Sequence, residues 1–189
     1  MKSIKIVSFD PALSNLGIAL MSYNMETNKL ELEGLRLVQT EPSKHKSVRV
    51  SSDDLRRAKV LNDAMVLACQ GRALAFAEIP SGTQSNRGAI SNGISIGVMA
   101  GCPIKLVEVN YTEVKMASVG KKTATKAEMI DWAIAKYPHK DWLMRKSKDG
   151  YVPINDCEHI ADACAIAEAG ILTPEFQSAV AMARSFSAS

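Results

Sequence analysis

The sequence predicts an α/β domain: a mixed five-stranded sheet, an antiparallel meander of three strands followed by two parallel strands, with helices on both faces. Three strand-like runs with short connections fill residues 3–38, and connections that short join antiparallel neighbours. Two further strand-like runs alternate with helical patterns in the order βββαβαβα, and strands separated by helices pair in parallel. At 189 residues and 47% hydrophobic composition, the chain is read as one domain over 1–189 with a substantial core.

The first strand, residues 3–9, delivers Asp10, and Pro11 cannot donate to a continuing ladder. Residues 16–23 and 29–38 form the next two, with Asn24 to Asn28 supplying turn chemistry. After a polar stretch over 39–50, Ser51 or Ser52 can cap a helix whose apolar positions Leu55, Leu61, Met65 and Ala68 recur at helical spacing before Gly71. Strand four, residues 73–79, carries Glu78. A loop rich in Ser, Gly and Asn leads to a helix over 88–100 and a strand over 103–109. Two or three helices occupy the rest. Thr123 or Thr125 can cap the one containing Ala127, Met129, Ile130 and Ala133. A later alanine-rich helix carries Asp162, with Asp156 as its expected N-cap. From about residue 184 the tail is small and polar and is expected to fray.

A formal net charge of +3 permits a nucleic-acid partner without demanding one. The four cysteines, at 69, 102, 157 and 164, lack CxxC spacing and read as reduced core residues, neither a zinc site nor a disulfide frame. Trp132 and Trp142 read as packing residues. No apolar run approaches a membrane span or a signal peptide, so a cytoplasmic location with no membrane partner is expected.

Three carboxylates stand in apolar settings. Asp10 and Glu78 each end a strand, and Asp162 sits in the run from His159 to Ala165. Such acids are costly unless neutralised, and a hard divalent cation is the economical partner. In an open α/β sheet ligands gather beyond the carboxyl ends of strands. Asp162 has His159 three residues before it and Glu158 four before it, on one helical face. A strand-end Asp before Pro also serves as a turn or cap; the combination of two strand-end acids with this helix favours metal binding. For Glu158 the reading is a solvated first-turn acid favouring the helix dipole. Two Mg²⁺ or Mn²⁺ ions about 4 Å apart would suit phosphodiester hydrolysis.

The segments Ser8 to Gly17, Ala77-Glu78, Lys115 to Gly120, Ala124 to Met129 and His159 to Ala163 resemble, in order, the motifs of RuvC-type Holliday junction resolvases. The resemblance runs from residue 4 to about residue 170. It implies an RNase H-like fold and a metal-dependent endonuclease that resolves four-way DNA junctions by paired nicks, leaving 5′-phosphate and 3′-hydroxyl ends. The metal ligands and catalytic residues it implies are Asp10, Glu78, His159 and Asp162, and its DNA-contacting lysines fall on Lys115 and Lys126. The aromatic residues that bacterial members carry after the catalytic Glu are absent from Ile79 to Gly88, a divergence that looks like a phage or mobile-element version. Two alternatives are a nuclease of the same fold with broader branched-DNA or RNA substrates, and the phosphate-binding hairpin of actin-like ATPases and sugar kinases, whose second domain 189 residues cannot accommodate.

Lys115, Lys121, Lys122 and Lys126 lie within twelve residues, and Arg145, Lys146 and Lys148 form a second group before the Asp162 helix. Charge runs are usually solvated faces, but these two flank the proposed metal helix and suit a phosphate-binding surface. Arg87, in the polar loop after Glu78, is a further DNA-binding candidate or a solvated loop residue. Gly93, Gly97 and Gly101 recur every four residues. Either this helix packs closely on the sheet, or it meets its copy across a two-fold axis; resolvases act as dimers, so the resemblance implies a homodimer.

Overall fold

In the computed structural model, which describes residues 3–138, 142–148 and 150–187, five strands form one sheet. These are β1 (Ser3–Pro11), β2 (Asn15–Asn24), β3 (Lys29–Gln39), β4 (Leu74–Glu78) and β5 (Leu106–Val109), in the order β3-β2-β1-β4-β5. The meander β1-β2-β3 is antiparallel, and β4 pairs in parallel with both β1 and β5. The fifth strand starts at Leu106, three residues later than the sequence suggests.

Alternation along the strands sorts side chains between two cores. Val7 and Phe9 of β1, Leu16 and Ile18 of β2, and Ala75 and Ala77 of β4 pack with Leu61, Met65, Val98 and Met99, residues of α1 (Val50–Cys69) and α2 (Asn86–Ala100). Ile6, Ala19, Met21, Leu74 and Phe76 join the opposite core with α3 (Tyr111–Ala117), α4 (Lys126–Lys136), α5 (Cys157–Gly170) and α6 (Pro174–Ser187). Asp10 and Glu78 continue the second set, two residues beyond Ser8 and Phe76, and so share the α5 face.

Helix α5 is the buried spine of that face. Ala161, Ala163, Ala165 and Ala167 are all fully buried, and the Ser8 hydroxyl donates to the Ala163 carbonyl at 2.6 Å. Glycines permit the close approach at both ends. A Cβ on Gly17 would fall 2.0 Å from the His159 carbonyl oxygen, and one on Gly170 would fall 2.3 Å from the Phe76 ring. Helix α6 locks in through Phe176, edge-on to Tyr23 at 4.9 Å and to Phe76 at 5.5 Å.

Helix starts follow expectation at Thr125 and differ from it at α1 and α5. Helix α1 begins at Val50 with Arg49 at the N-cap position and no side-chain cap, so neither Ser51 nor Ser52 caps it. Ser85 caps α2 by accepting from the Gly88 amide. Thr125 caps α4 in a reciprocal box with Glu128, and Asn110 does the same for α3 with Glu113. Asp156 holds the N-cap position of α5 but makes no cap bond; its carboxylate accepts from Gln39 at 3.0 Å. Helix α6 continues past residue 184, where Arg184 donates to the Met25 carbonyl and the Asn28 side chain; residues 188 and 189 of the expected tail lie outside the described residues.

A separate two-stranded hairpin, β6 (Met144–Ser147) with β7 (Gly150–Pro153), precedes α5. Sequence reading placed no strands there. All four cysteines are free thiols, with Cys69 and Cys102 in sulfur contact at 3.7 Å. Among the described residues no helix is long and apolar enough to cross a membrane.

Candidate active site

Strands β1 and β4 run parallel with Phe9 opposite Ala77, so the next residues, Asp10 and Glu78, emerge side by side at the carboxyl edge. The first turns of α5 cross above them because Gly17, the β2 partner of Asp10, leaves room for the His159 backbone. His159 and Asp162, three apart on one helical face, then point at the same edge. Asp10, Glu78 and Asp162 line one cavity of about 120 Å³ with Tyr111, Lys115 and Lys126.

The acids repel one another. Burial, then the negative charge of Asp10, push the Glu78 pKa up to about 7, with Lys115 opposing. Burial, then Asp10, Glu78 and Glu158, raise Asp162 to about 7 as well. His159 Nδ1 lies 2.8 Å from Asp10 Oδ2. Burial disfavours a charge on that ring, yet the hydrogen bond and the surrounding carboxylates carry its pKa above the usual imidazole value. The Asp10 contact therefore favours the protonated form of the His159 ring.

The basic candidates are placed unequally. Lys115 is only 9% exposed; its ammonium donates to the Ala124 carbonyl and sits 4.2 Å above the Tyr111 ring. Lys126 pairs with Glu158 at 2.7 Å, and that hydrogen bond raises its pKa with added pull from Glu158, Asp162 and Asp10. Lys121 pairs with Glu128. Arg87 makes a forked bond to Asp54 at 2.5 and 2.6 Å. Lys122 is exposed.

Sequence reading missed the network that holds the loops behind the acids. Arg57, 2% exposed, donates to Thr40 Oγ1 at 3.0 Å and to Ser14 Oγ at 2.8 Å. Thr40 in turn donates to the Leu13 carbonyl at 2.5 Å. The turn that follows Asp10 is thus fastened to α1, and Asp54 on the same helix binds Arg87, which lies in the first turn of α2 and not in the loop after Glu78 where the sequence suggests it. The signal was present as Asp53-Asp54 three residues ahead of Arg56-Arg57, a spacing that suits helical ion pairs.

Among the described residues, no group of three or more His, Cys, Asp or Glu side chains closes into a metal-ligating set. The donors nevertheless suit a hard cation: carboxylates from β1, β4 and α5 face one cavity, and burial, then mutual repulsion, raises the pKa of two of them to about 7.

No protein-family model matches the chain. No curated protein matches its sequence. Among solved structures it is similar to Thermus thermophilus RuvC, with TM-score 0.61 and 18% identity over 88% of this chain and 92% of that one. T. thermophilus RuvC in complex with Holliday junction substrate gives TM-score 0.61 and 19% identity over the same shares. Fowlpox virus resolvase in complex with substrate Holliday junction DNA gives 0.51 and 15%, over 90% of this chain and 100% of that one. The chain therefore has the RuvC fold, and the expected RNase H-like α/β architecture is observed.

Proposed function

We propose that this RuvC-folded chain is a divalent-cation-dependent, structure-selective DNA endonuclease that resolves four-way junctions by paired nicks. The convergence of Asp10, Glu78 and Asp162 on one small cavity at the carboxyl edges of β1 and β4 carries this reading. Those three residues would hold Mg²⁺ or Mn²⁺, two ions by the resemblance to resolvases, with His159 completing the set or orienting water. Bound there, the cations supply the positive charge that activates water and stabilises the departing oxygen.

The chain's own groups do the remaining work. Lys115, fixed by the Ala124 carbonyl and the Tyr111 ring, keeps a positive charge beside Glu78 where a phosphate would approach. Lys126 adds charge at the mouth. Hydrolysis adds water across the P–O3′ bond, leaving a 3′-hydroxyl and a 5′-phosphate. Branched DNA as substrate is supported by the two similar proteins whose structures contain Holliday junctions.

The homodimer rests on α2. Nothing lies within 4 Å of a Cβ built on Gly93 or Gly97, so these glycines do not serve packing on the sheet. Ile90 and Ile96 on this helix and Leu55 on α1 are exposed beside them. An open small-residue face with apolar neighbours suits contact with a second copy, and a four-way junction is itself nearly two-fold symmetric.

The test is cleavage of labelled four-way junction, fork, linear duplex and RNA hybrid, each with and without Mg²⁺ or Mn²⁺. Paired nicks in the junction with either metal are expected. Preferred cutting of the fork or hybrid supports a nuclease of different substrate class, and no cleavage of any substrate overturns the reading.

A further inference from the structure

We propose that the β6–β7 hairpin is a second DNA-contacting surface, which grips the phosphodiester backbone of an arm leading away from the acids. The inference rests on the nuclease reading above. It begins from which cations are available. Lys115, Lys121, Lys126 and Arg87 all have intramolecular partners that occupy part of their donor capacity. Arg145, Lys146 and Lys148 are exposed, and among the described residues none of the three is paired with a carboxylate.

The hairpin register arranges them. Lys146 lies opposite Tyr151, and Met144 lies opposite Pro153, so these four share one face, while Arg145 and Val152 share the other. Tyr151 is 75% exposed, so packing within this chain does not account for the ring. A cation beside an open aromatic face is the chemistry that meets a nucleic-acid backbone and stacks on a base or sugar. Strands of four residues extend roughly 13 Å, so the hairpin presents Lys146 beside Tyr151 to a phosphate on one face and Arg145 to a phosphate on the other, with Lys148 at the turn.

The hairpin is also held in line with the acids. The Trp142 indole donates to the Tyr137 carbonyl at 3.1 Å, and the Ile154 amide to the Leu143 carbonyl at 2.9 Å, which closes the hairpin base. Three residues, 154–156, then lead into α5. A groove of about 490 Å³ between α4 and this connection is lined by Lys126, Asp131, Pro153, Asn155 and Glu158. Lys126 borders both this groove and the cavity of the acids, so one continuous surface runs from cleavage site to hairpin.

The test is junction binding in EDTA, titrated with salt. Combined replacement of Arg145, Lys146 and Lys148 by Ala should weaken binding about 10-fold and make the log–log salt slope shallower by roughly one to two units. Tyr151→Ala should weaken binding with the slope unchanged. Lys146→Glu, a single surface change, should weaken binding with the circular dichroism spectrum retained, which guards against misfolding of the triple variant. Folded variants with wild-type affinity and slope overturn the hairpin surface alone; a wild-type protein that binds no junction overturns it together with the DNA reading.

Discussion

Gly17 lies directly beneath the backbone of His159: a side-chain carbon on Gly17 would sit 2.0 Å from the His159 carbonyl oxygen. Because Gly17 is also the β2 partner of Asp10, this missing side chain sets the height at which α5 brings His159 and Asp162 over the acids. Gly17→Ala should lift that end of the helix, cost about 1–3 kcal/mol of stability and reduce junction cleavage. Gly34→Ala, where a new carbon meets only Leu20 Cδ1 at 3.7 Å, should do little. Thermal melts and cleavage rates compare the two, and equal behaviour removes the positioning role of Gly17.

Asp10→Asn, Glu78→Gln and Asp162→Asn should each abolish cleavage while leaving folding and junction binding intact, since what is lost is charge toward a cation. A variant cutting at wild-type rate takes that residue out of the site. At the fourth position, His159→Asp should preserve cleavage and move preference from Mn²⁺ toward Mg²⁺, because carboxylate is a harder ligand than imidazole. His159→Ala should impair it. Glu158→Ala, which frees Lys126, should have a small effect; the reverse pattern assigns the position to Glu158.

Asp54 titrates below its ordinary value, first because Arg87 donates hydrogen bonds to it, against the cost of burial, and then through the charges of Arg87 and Arg57. With the folded pKa depressed, the unfolded chain takes up the proton first as pH falls. The stabilisation is fully present above about pH 5 and is lost as pH falls through the folded pKa. Urea melts of wild type and Asp54→Asn should therefore show a gap at pH 7 that narrows as pH falls through the folded pKa. A gap that does not change with pH would mean that the ionised Asp54 carboxylate contributes nothing through its Arg87 bond.

Gly97→Leu should give a folded monomer that binds or cleaves junctions poorly, because the open face of α2 accepts the side chain without disturbing the core. Light scattering reads the association state, and circular dichroism reads the fold. A wild-type monomer at micromolar concentration removes the dimer.

The sequence by itself determined the element order of the sheet, the acids at the carboxyl edges of β1 and β4, and the face of α5 that carries His159 and Asp162, although β1 runs on through Pro11, beyond the end at residue 9 that the sequence suggests. All of these follow from local periodicity: alternation of two in Ile6, Ser8 and Asp10, and a spacing of three on the helix. The β6–β7 hairpin was illegible because its strands are four residues long, basic and exposed, so no buried face imposed an apolar alternation on Met144 to Ser147. Two identical residue types took opposite roles without local warning: Gly17 touches backbone, whereas Gly93 and Gly97 face open space. The same holds for the cations. Arg87 and Lys126 read as free to meet DNA, yet each is engaged by a carboxylate, Asp54 and Glu158, more than thirty residues away in sequence. Only tertiary structure decides such partners, because a charge or a missing Cβ acts on whatever the fold brings within a few ångströms, and that distance is not a function of separation along the chain.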